Sequence, residues 1–154
     1  VEGKRILILG AGGAARGSVL PLAEQHPACL TIVNRTPEKA EALKAQFAEF
    51  ATLEAGGYGE VAGRCFDLVI NATSTGLHGE HLPLSAGLFA PGALAYDMVY
   101  GGTETPFLKD ARALGAAQVS DGLGMLVGQA AESFFLWRGV GPDTGPVLKS
   151  LQGG

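Results

Sequence analysis

Six residues, Gly10-Ala11-Gly12-Gly13-Ala14-Ala15, limit what this chain can fold into more than any other stretch. They satisfy G-x-G-x-x-A and stand directly after the apolar run Arg5 to Leu9, "RILIL". A short continuous apolar run closed by glycine suits a strand buried on both faces of a parallel sheet. Behind the loop, Ala14 to Gln25 carries Val19, Leu20, Leu22 and Ala23 at helical spacing. In a strand-turn-helix setting the first glycine permits the tight turn and the second lets backbone approach a pyrophosphate. The small third residue lets the helix pack close to the strand. Free N–H groups and the positive end of the helix dipole then meet the phosphate charge. Gly10, Ala11, Gly12, Gly13 and Ala14 are therefore candidate phosphate-holding residues. A glycine-rich turn without a ligand is the bland alternative, and the placement between strand and helix counts against it.

The rest of the chain continues the alternation. "CLTIV", Cys29 to Val33, reads as a second strand. Thr36 then suits an N-cap and Pro37 a first helical position, with Ala40, Leu43, Phe47 and Phe50 spaced for one buried face. Further strands are predicted at Phe66 to Asn71 and Ala93 to Val99, with weaker candidates at Ala51 to Leu53 and Ala117 to Val119. From Gly122 to Trp137 runs a long apolar helix candidate, followed by a Gly/Pro break and a short helix near Pro146 to Leu151. Strand-helix alternation implies right-handed crossovers, so the expected class is α/β, a Rossmann-like doubly wound parallel sheet with carboxy-terminal helices. The 154 residues, 47% of them hydrophobic, supply one packed domain. The 24 glycines and 7% aromatics fit a fold of tight turns and close backbone contacts.

A dinucleotide-binding unit usually ends its second strand with a carboxylate, which accepts hydrogen bonds from the adenosine ribose and repels a 2′-phosphate. Here "VNRTPEK", Val33 to Lys39, occupies that place. Asn34 can bond a ribose or phosphate oxygen, Arg35 can grip a phosphate with its planar fork, and Thr36 adds a hydroxyl at a helix N-terminus. Lys39, one turn on, adds charge. The sequence thus favours NADP over NAD. Thr73 and Ser74 in "NATSTG" stand just past a strand's carboxyl end, where ligands sit in open α/β sheets, although turn capping explains them equally well. Asp97 in "YDMVY" reads as a structural acceptor for backbone N–H groups.

Several classes are excluded or disfavoured. A net charge of −4 and a pI near 5.3 argue against a nucleic-acid surface, which needs clustered Lys and Arg. No stretch has the length and apolarity of a membrane span. Cys29 and Cys65 stand without a CxxC pair, which suits a reducing compartment and the cytoplasm. "HGEH", His78 to His81, invites a metal reading, but it lies in a glycine-flanked loop with no further ligand cluster, so no metal is expected. The chain opens on Val1 four residues before a strand pattern, as a fragment would.

"GAGGAARG", "NRTPEKA", "FDLVINATSTG", "DMVY" followed by "TPFL", and "DGLGMLVGQAAESFFLW" stand in an order and spacing that resemble shikimate dehydrogenases over essentially the whole chain. The resemblance implies that Gly10 to Ala14 hold the pyrophosphate and that Asn34, Arg35, Thr36 and Lys39 surround the adenosine phosphate. It also implies that Met98 and Gly122 lie near the nicotinamide, and that Tyr100 and Gln129 reach shikimate. On the residues alone Met98 would read as core and Gln129 as a polar helix-surface group. Enzymes of this family pass a hydride between NADPH and 3-dehydroshikimate, forming shikimate for aromatic amino-acid biosynthesis. They use a Lys-Asp pair in an amino-terminal substrate domain. Lys4, Lys109, Asp97 and Asp121 do not match that pair, so no catalytic residue is assigned here. The expected organisation is a cofactor unit over 1–121 and a returning helical segment over 122–154, binding NADP without turnover by itself. Deprived of a substrate domain, Met125, Leu126, Val127, Phe134, Phe135 and Trp137 would lose burial. That favours self-association through 122–154 or folding of the helix onto the cofactor unit. A quinate/shikimate dehydrogenase paralogue and a non-catalytic nucleotide-binding module are the alternatives. A glutamyl-tRNA reductase cofactor domain shares the "NRT"-like turn but gives no account of "DMVY" or "DGLGMLVGQ".

Overall fold

Apolar residues alternate to both sides along the central strands, and this divides the core in two. The computed structural model describes residues 1–101 and 103–152, and of residues 129, 130, 132–134 and 137 it describes only the backbone. Strands β1 (Arg5–Leu9), β2 (Cys29–Val33), β3 (Glu54–Gly56), β4 (Phe66–Asn71), β5 (Phe89–Asp97) and β6 (Gln118–Ser120) form one sheet in the order β3-β2-β1-β4-β5-β6. Every pairing is parallel. The register runs from Arg5 opposite Cys29 to Leu9 opposite Val33, and from Ile6 opposite Leu68 to Leu9 opposite Asn71. Leu7, Leu9, Val33 and Val69 point to one face, where they meet Phe66, Phe107 and Leu108. Ile6, Ile8, Ile32 and Ile70 point to the other, against Ala15, Val19, Ala40 and Leu43. The period of two thus feeds a core on each side, which is why these strands read as unbroken apolar runs.

Helices α1 (Gly13–Ala23) and α2 (Pro37–Gln46) supply the second core, and α3 (Pro106–Ala113) supplies the first. The last elements are α4 (Leu123–Arg138) and α5 (Gly145–Gln152). Among the described residues no helix is long and apolar enough to cross a membrane.

Several boundaries differ from the sequence expectation. Helix α1 contains Pro21 and closes two residues early through three-residue turns, Gln25 N–H to Leu22 O and His26 N–H to Ala23 O. Phe50, expected on the buried face of α2, is 70% exposed. The helix ends at Gln46, and the bonds from Ala48 N–H to Ala45 O and from Phe50 N–H to Phe47 O tighten the chain, rotating Phe50 off the apolar stripe. Ala51 N–H still bonds Phe47 O, so the strand expected at 51–53 begins only at Glu54. Strand β5 spans Phe89–Asp97 rather than 93–99: Phe66 faces Phe89 and Leu68 faces Leu94, a slip that takes up Pro91 and Gly92, the latter at φ 79°. The strand expected at 117–119 is shifted by one residue to Gln118–Ser120. Helix α3 has no counterpart in the sequence expectation, yet Thr105-Pro106 is an N-cap and first-turn signal: Leu108 N–H bonds Thr105 Oγ1 at 3.4 Å.

Candidate functional site

The crevice lies at the carboxyl ends of β1 and β4, where the strand order reverses and neighbouring connections leave to opposite faces. Gly10 turns the chain out of β1 at φ 105°, its N–H bonded to Val33 O at 2.7 Å. A Cβ there would stand 3.0 Å from Thr73 Cγ2 and 3.2 Å from the Ala72 carbonyl. Both conformation and space therefore demand glycine. Around Gly12 and Gly13 the opposite holds, with nothing within 4 Å of an added Cβ. Gly12 is the N-cap of α1, no side chain caps the helix, and its first turn carries no acidic residue. The first-turn N–H groups stand at the positive end of the dipole, and nothing fills the space beside Gly12 and Gly13.

Beyond β2, Asn34 Nδ2 donates to Thr36 O at 3.0 Å, which holds the 34–36 turn and leaves Asn34 Oδ1 available. Thr36 is the N-cap of α2, as expected, with the extended backbone of that position, though its side chain makes no cap bond. Arg35, Thr36 and Lys39 are exposed, and neither cation is in an ion pair among the described residues. Asn34, Arg35 and Thr73 share a cavity of about 420 Å³ with Tyr58, Ser74, Thr75, His78, Glu80, His81 and Leu82. Tyr58, on the turn after β3, carries no signal in the sequence that would mark it. Burial pushes its phenol up while the charge of Arg35 pulls it down. A larger hollow of about 680 Å³ lies by Cys29, the first residue of β2, at the opposite end of the sheet.

Asn71 and Asp97, both fully buried, end β4 and β5 side by side. Asp97 accepts from Asn71 Nδ2 at 3.1 Å, Val99 N–H at 3.0 Å and Thr105 Oγ1 at 2.5 Å. It is a structural acceptor, as expected, but two of its three donors are side chains. Met98 N–H bonds Asn71 O, and Ser18 Oγ lies 4.0 Å from Met98 Sδ, so Met98 stands beside α1. Gly122 is buried against the Met98 carbonyl, which any side chain there would strike. Met98 and Gly122 are therefore brought together, outside the cavity of Arg35 and Thr73. Tyr100, 48% exposed, follows on the same end of β5. The side chain of Gln129 lies outside the described residues. In the "HGEH" loop, His81 Nδ1 lies 2.6 Å from Asp110 Oδ2 of α3.

This strand order, with a glycine turn at its reversal and cations past β2, defines a Rossmann-like α/β unit, the architecture of dinucleotide-binding proteins. The chain belongs to the shikimate/quinate 5-dehydrogenase family. The family model described as shikimate/quinate 5-dehydrogenase matches residues 1–78, and that of the shikimate 5′-dehydrogenase C-terminal domain matches residues 122–152. A shikimate dehydrogenase (NADP(+)) of Dechloromonas aromatica is 60% identical over 150 residues, covering 97% of this chain and 55% of that protein. The crystal structure of an Ael1 enzyme from Pseudomonas putida superposes with a TM-score of 0.88 at 46% identity, covering 97% of this chain and 55% of that one. A shikimate 5-dehydrogenase of Thermus thermophilus, solved with NADP(H) and shikimate, gives 0.78 at 36% identity, with 95% and 53% covered. The chain spans about half the length of the relatives it matches.

Proposed function

We propose that these residues form the NADP-binding portion of a shikimate dehydrogenase, with 1–121 as the cofactor unit and 122–154 as a helical segment that returns toward the substrate domain. The observation that carries this reading is the carboxyl end of β2, where no carboxylate stands and Asn34 and Arg35 open onto the cavity shared with Thr73. At the end of β2 a 2′-phosphate would meet the Arg35 guanidinium rather than the usual strand-end carboxylate, with Glu80 on the far lining of the cavity. The residues fit the group: space is open over Gly12 and Gly13, while Gly10 is packed tightly beneath. Gly10 to Ala14 hold the pyrophosphate; Asn34, Arg35, Thr36 and Lys39 surround the adenosine phosphate; Thr73 borders the cleft; Met98 and Gly122 form the nicotinamide end. NADPH, when bound, supplies the hydride that reduces a ketone such as 3-dehydroshikimate to its alcohol. Tyr100 and Gln129, donors and acceptors both, meet the polyhydroxylated acid. Proton transfer to the substrate is left to residues outside this chain, which then binds cofactor without turnover. Lone cysteines suit the cytoplasm as its compartment. The exposed Phe135, Leu136, Val140, Val147 and Leu151 support self-association through 122–154.

Calorimetric titration with NADP and with NAD, at one fixed salt concentration, tests the reading. Preference for NADP is expected. Equal affinity for both would remove the argument from β2, and no heat from either, in a chain with an intact cooperative melt, would overturn the assignment.

A further inference from the structure

The hydrogen bonds that join β4, β5 and α3 beneath the cleft form one continuous chain. Asp97 is fully buried, and both of its carboxylate oxygens face donors. Thr105 Oγ1 takes the Leu108 N–H and gives its own proton to Asp97 Oδ2. Asn71 must then turn its NH2 toward Asp97 and its oxygen toward Thr73. That oxygen accepts the Thr73 N–H at 3.0 Å and the Thr73 hydroxyl at 2.6 Å. With its proton committed, Thr73 Oγ1 receives the Thr75 hydroxyl, and both threonines border the nucleotide cleft. The same Asn71 holds Met98 through its backbone carbonyl, and Asp97 holds Val99 N–H. Among the described residues no buried side-chain polar atom lacks a partner, and reversing the Asn71 amide would set its NH2 against the Thr73 N–H.

We propose that Asp97, with Thr105, is a positioning residue for the nucleotide site, orienting the Asn71 amide so that Thr73 is held at the cleft floor beside Gly10. Asp97 itself touches neither cofactor nor substrate, and its role is that of an acceptor, not of a proton-transfer group. The proposal rests on the cleft being the NADP site. It extends that reading by assigning residues that sit below the cleft.

A double-mutant cycle on NADP affinity, read by calorimetry on this chain, tests it. Asp97→Asn keeps an oxygen for Asn71 and Val99, while its NH2 can donate to Thr105 Oγ1, so affinity within about threefold of the parent is expected. Asp97→Leu removes the acceptor and should weaken NADP by about tenfold or more. In a Thr73→Val background the same change should cost much less, because residues acting through one another are non-additive. Loss of affinity in Asp97→Asn as large as in Asp97→Leu would overturn the acceptor role. Independent, multiplying losses for Asp97→Leu and Thr73→Val would make Asp97 merely structural. Should Asp97→Leu not fold, Thr105→Val takes its place in the cycle with the same expected coupling. If the parent chain takes no NADP, the nucleotide reading falls and the positioning role with it. If it binds and the cycle is additive, only the positioning role falls.

Discussion

Arg35 shows how much chemistry a single side chain can report through its position in the sequence alone. Its place directly after a strand is legible because the apolar run 29–33 ends sharply and the helix signal Thr36-Pro37 follows. Arg35→Asp should weaken NADP by about tenfold or more, the cost of exchanging a charge-assisted contact for like-charge repulsion, and should affect NAD far less. Parallel titrations read the difference, and equal losses would show that Arg35 is not the selector. Tyr58 is not legible in the same way, since nothing in "GGYGE" announces that the turn after β3 brings a phenol beside Arg35. Asp97 is legible as an acceptor but not by partner: Asn71 lies 26 residues away, and Thr105 caps a helix announced only by the Thr105-Pro106 pair.

At the scale of elements, the bounds of the inner strands β1, β2 and β4 are readable, whereas those of β5 and of the edge strands are not. Strands β1, β2 and β4 are flanked on both sides, so burial on two faces overrides other preferences and leaves continuous apolar runs. Strands β3 and β6, three residues each, lie at the edges, where little burial marks their ends. The joint between β1 and β4 is also electrostatic. Arg5 clasps Asp67 through Nε and Nη2, each at 3.0 Å, and its backbone N–H adds a bond at 2.8 Å. These hydrogen bonds lower the Asp67 carboxyl from its ordinary 3.8 to about 2. Because the folded-state value is the lower one, the contribution is fully present above 3.8 and fades as pH falls toward about 2. Asp67→Asn should therefore unfold more easily at neutral pH and show a flatter loss of stability across that acid window. An acid limb unchanged from the parent would remove Asp67 from the account. Helix α3 provides a packing test: Phe107→Ala, inside the first core, should cost about 3–5 kcal/mol, whereas Phe50→Ala, off the α2 stripe, should stay within about 0.5 kcal/mol. Denaturant melts on both variants measure the contrast, and a costly Phe50→Ala would mean that its side chain packs in solution.

For the whole molecule, folding back and the proposed self-association both fall on α4. Its start is docked, with Gly122 buried against Met98 and Val127 buried, while Phe135 and Leu136 further along are 48% and 75% exposed. The sequence poses the two as alternatives, and the docked start with an exposed continuation leaves room for both in one helix. Sedimentation over a range of concentrations should show mass rising with concentration, and Leu136→Glu should hold the chain monomeric. A parent chain monomeric throughout would rule out the self-association. By itself the sequence determined the α/β class, the glycine turn and the cationic end of β2, because each rests on local signals: a period of hydrophobicity, a backbone that only glycine allows, a charge at a strand end. Only the tertiary structure decided the slip in β5, the exposure of Phe50, the company of Tyr58 and the Asn71–Asp97–Thr105 chain. These depend on which distant segments meet, and the distances between them in sequence carry no periodic signature.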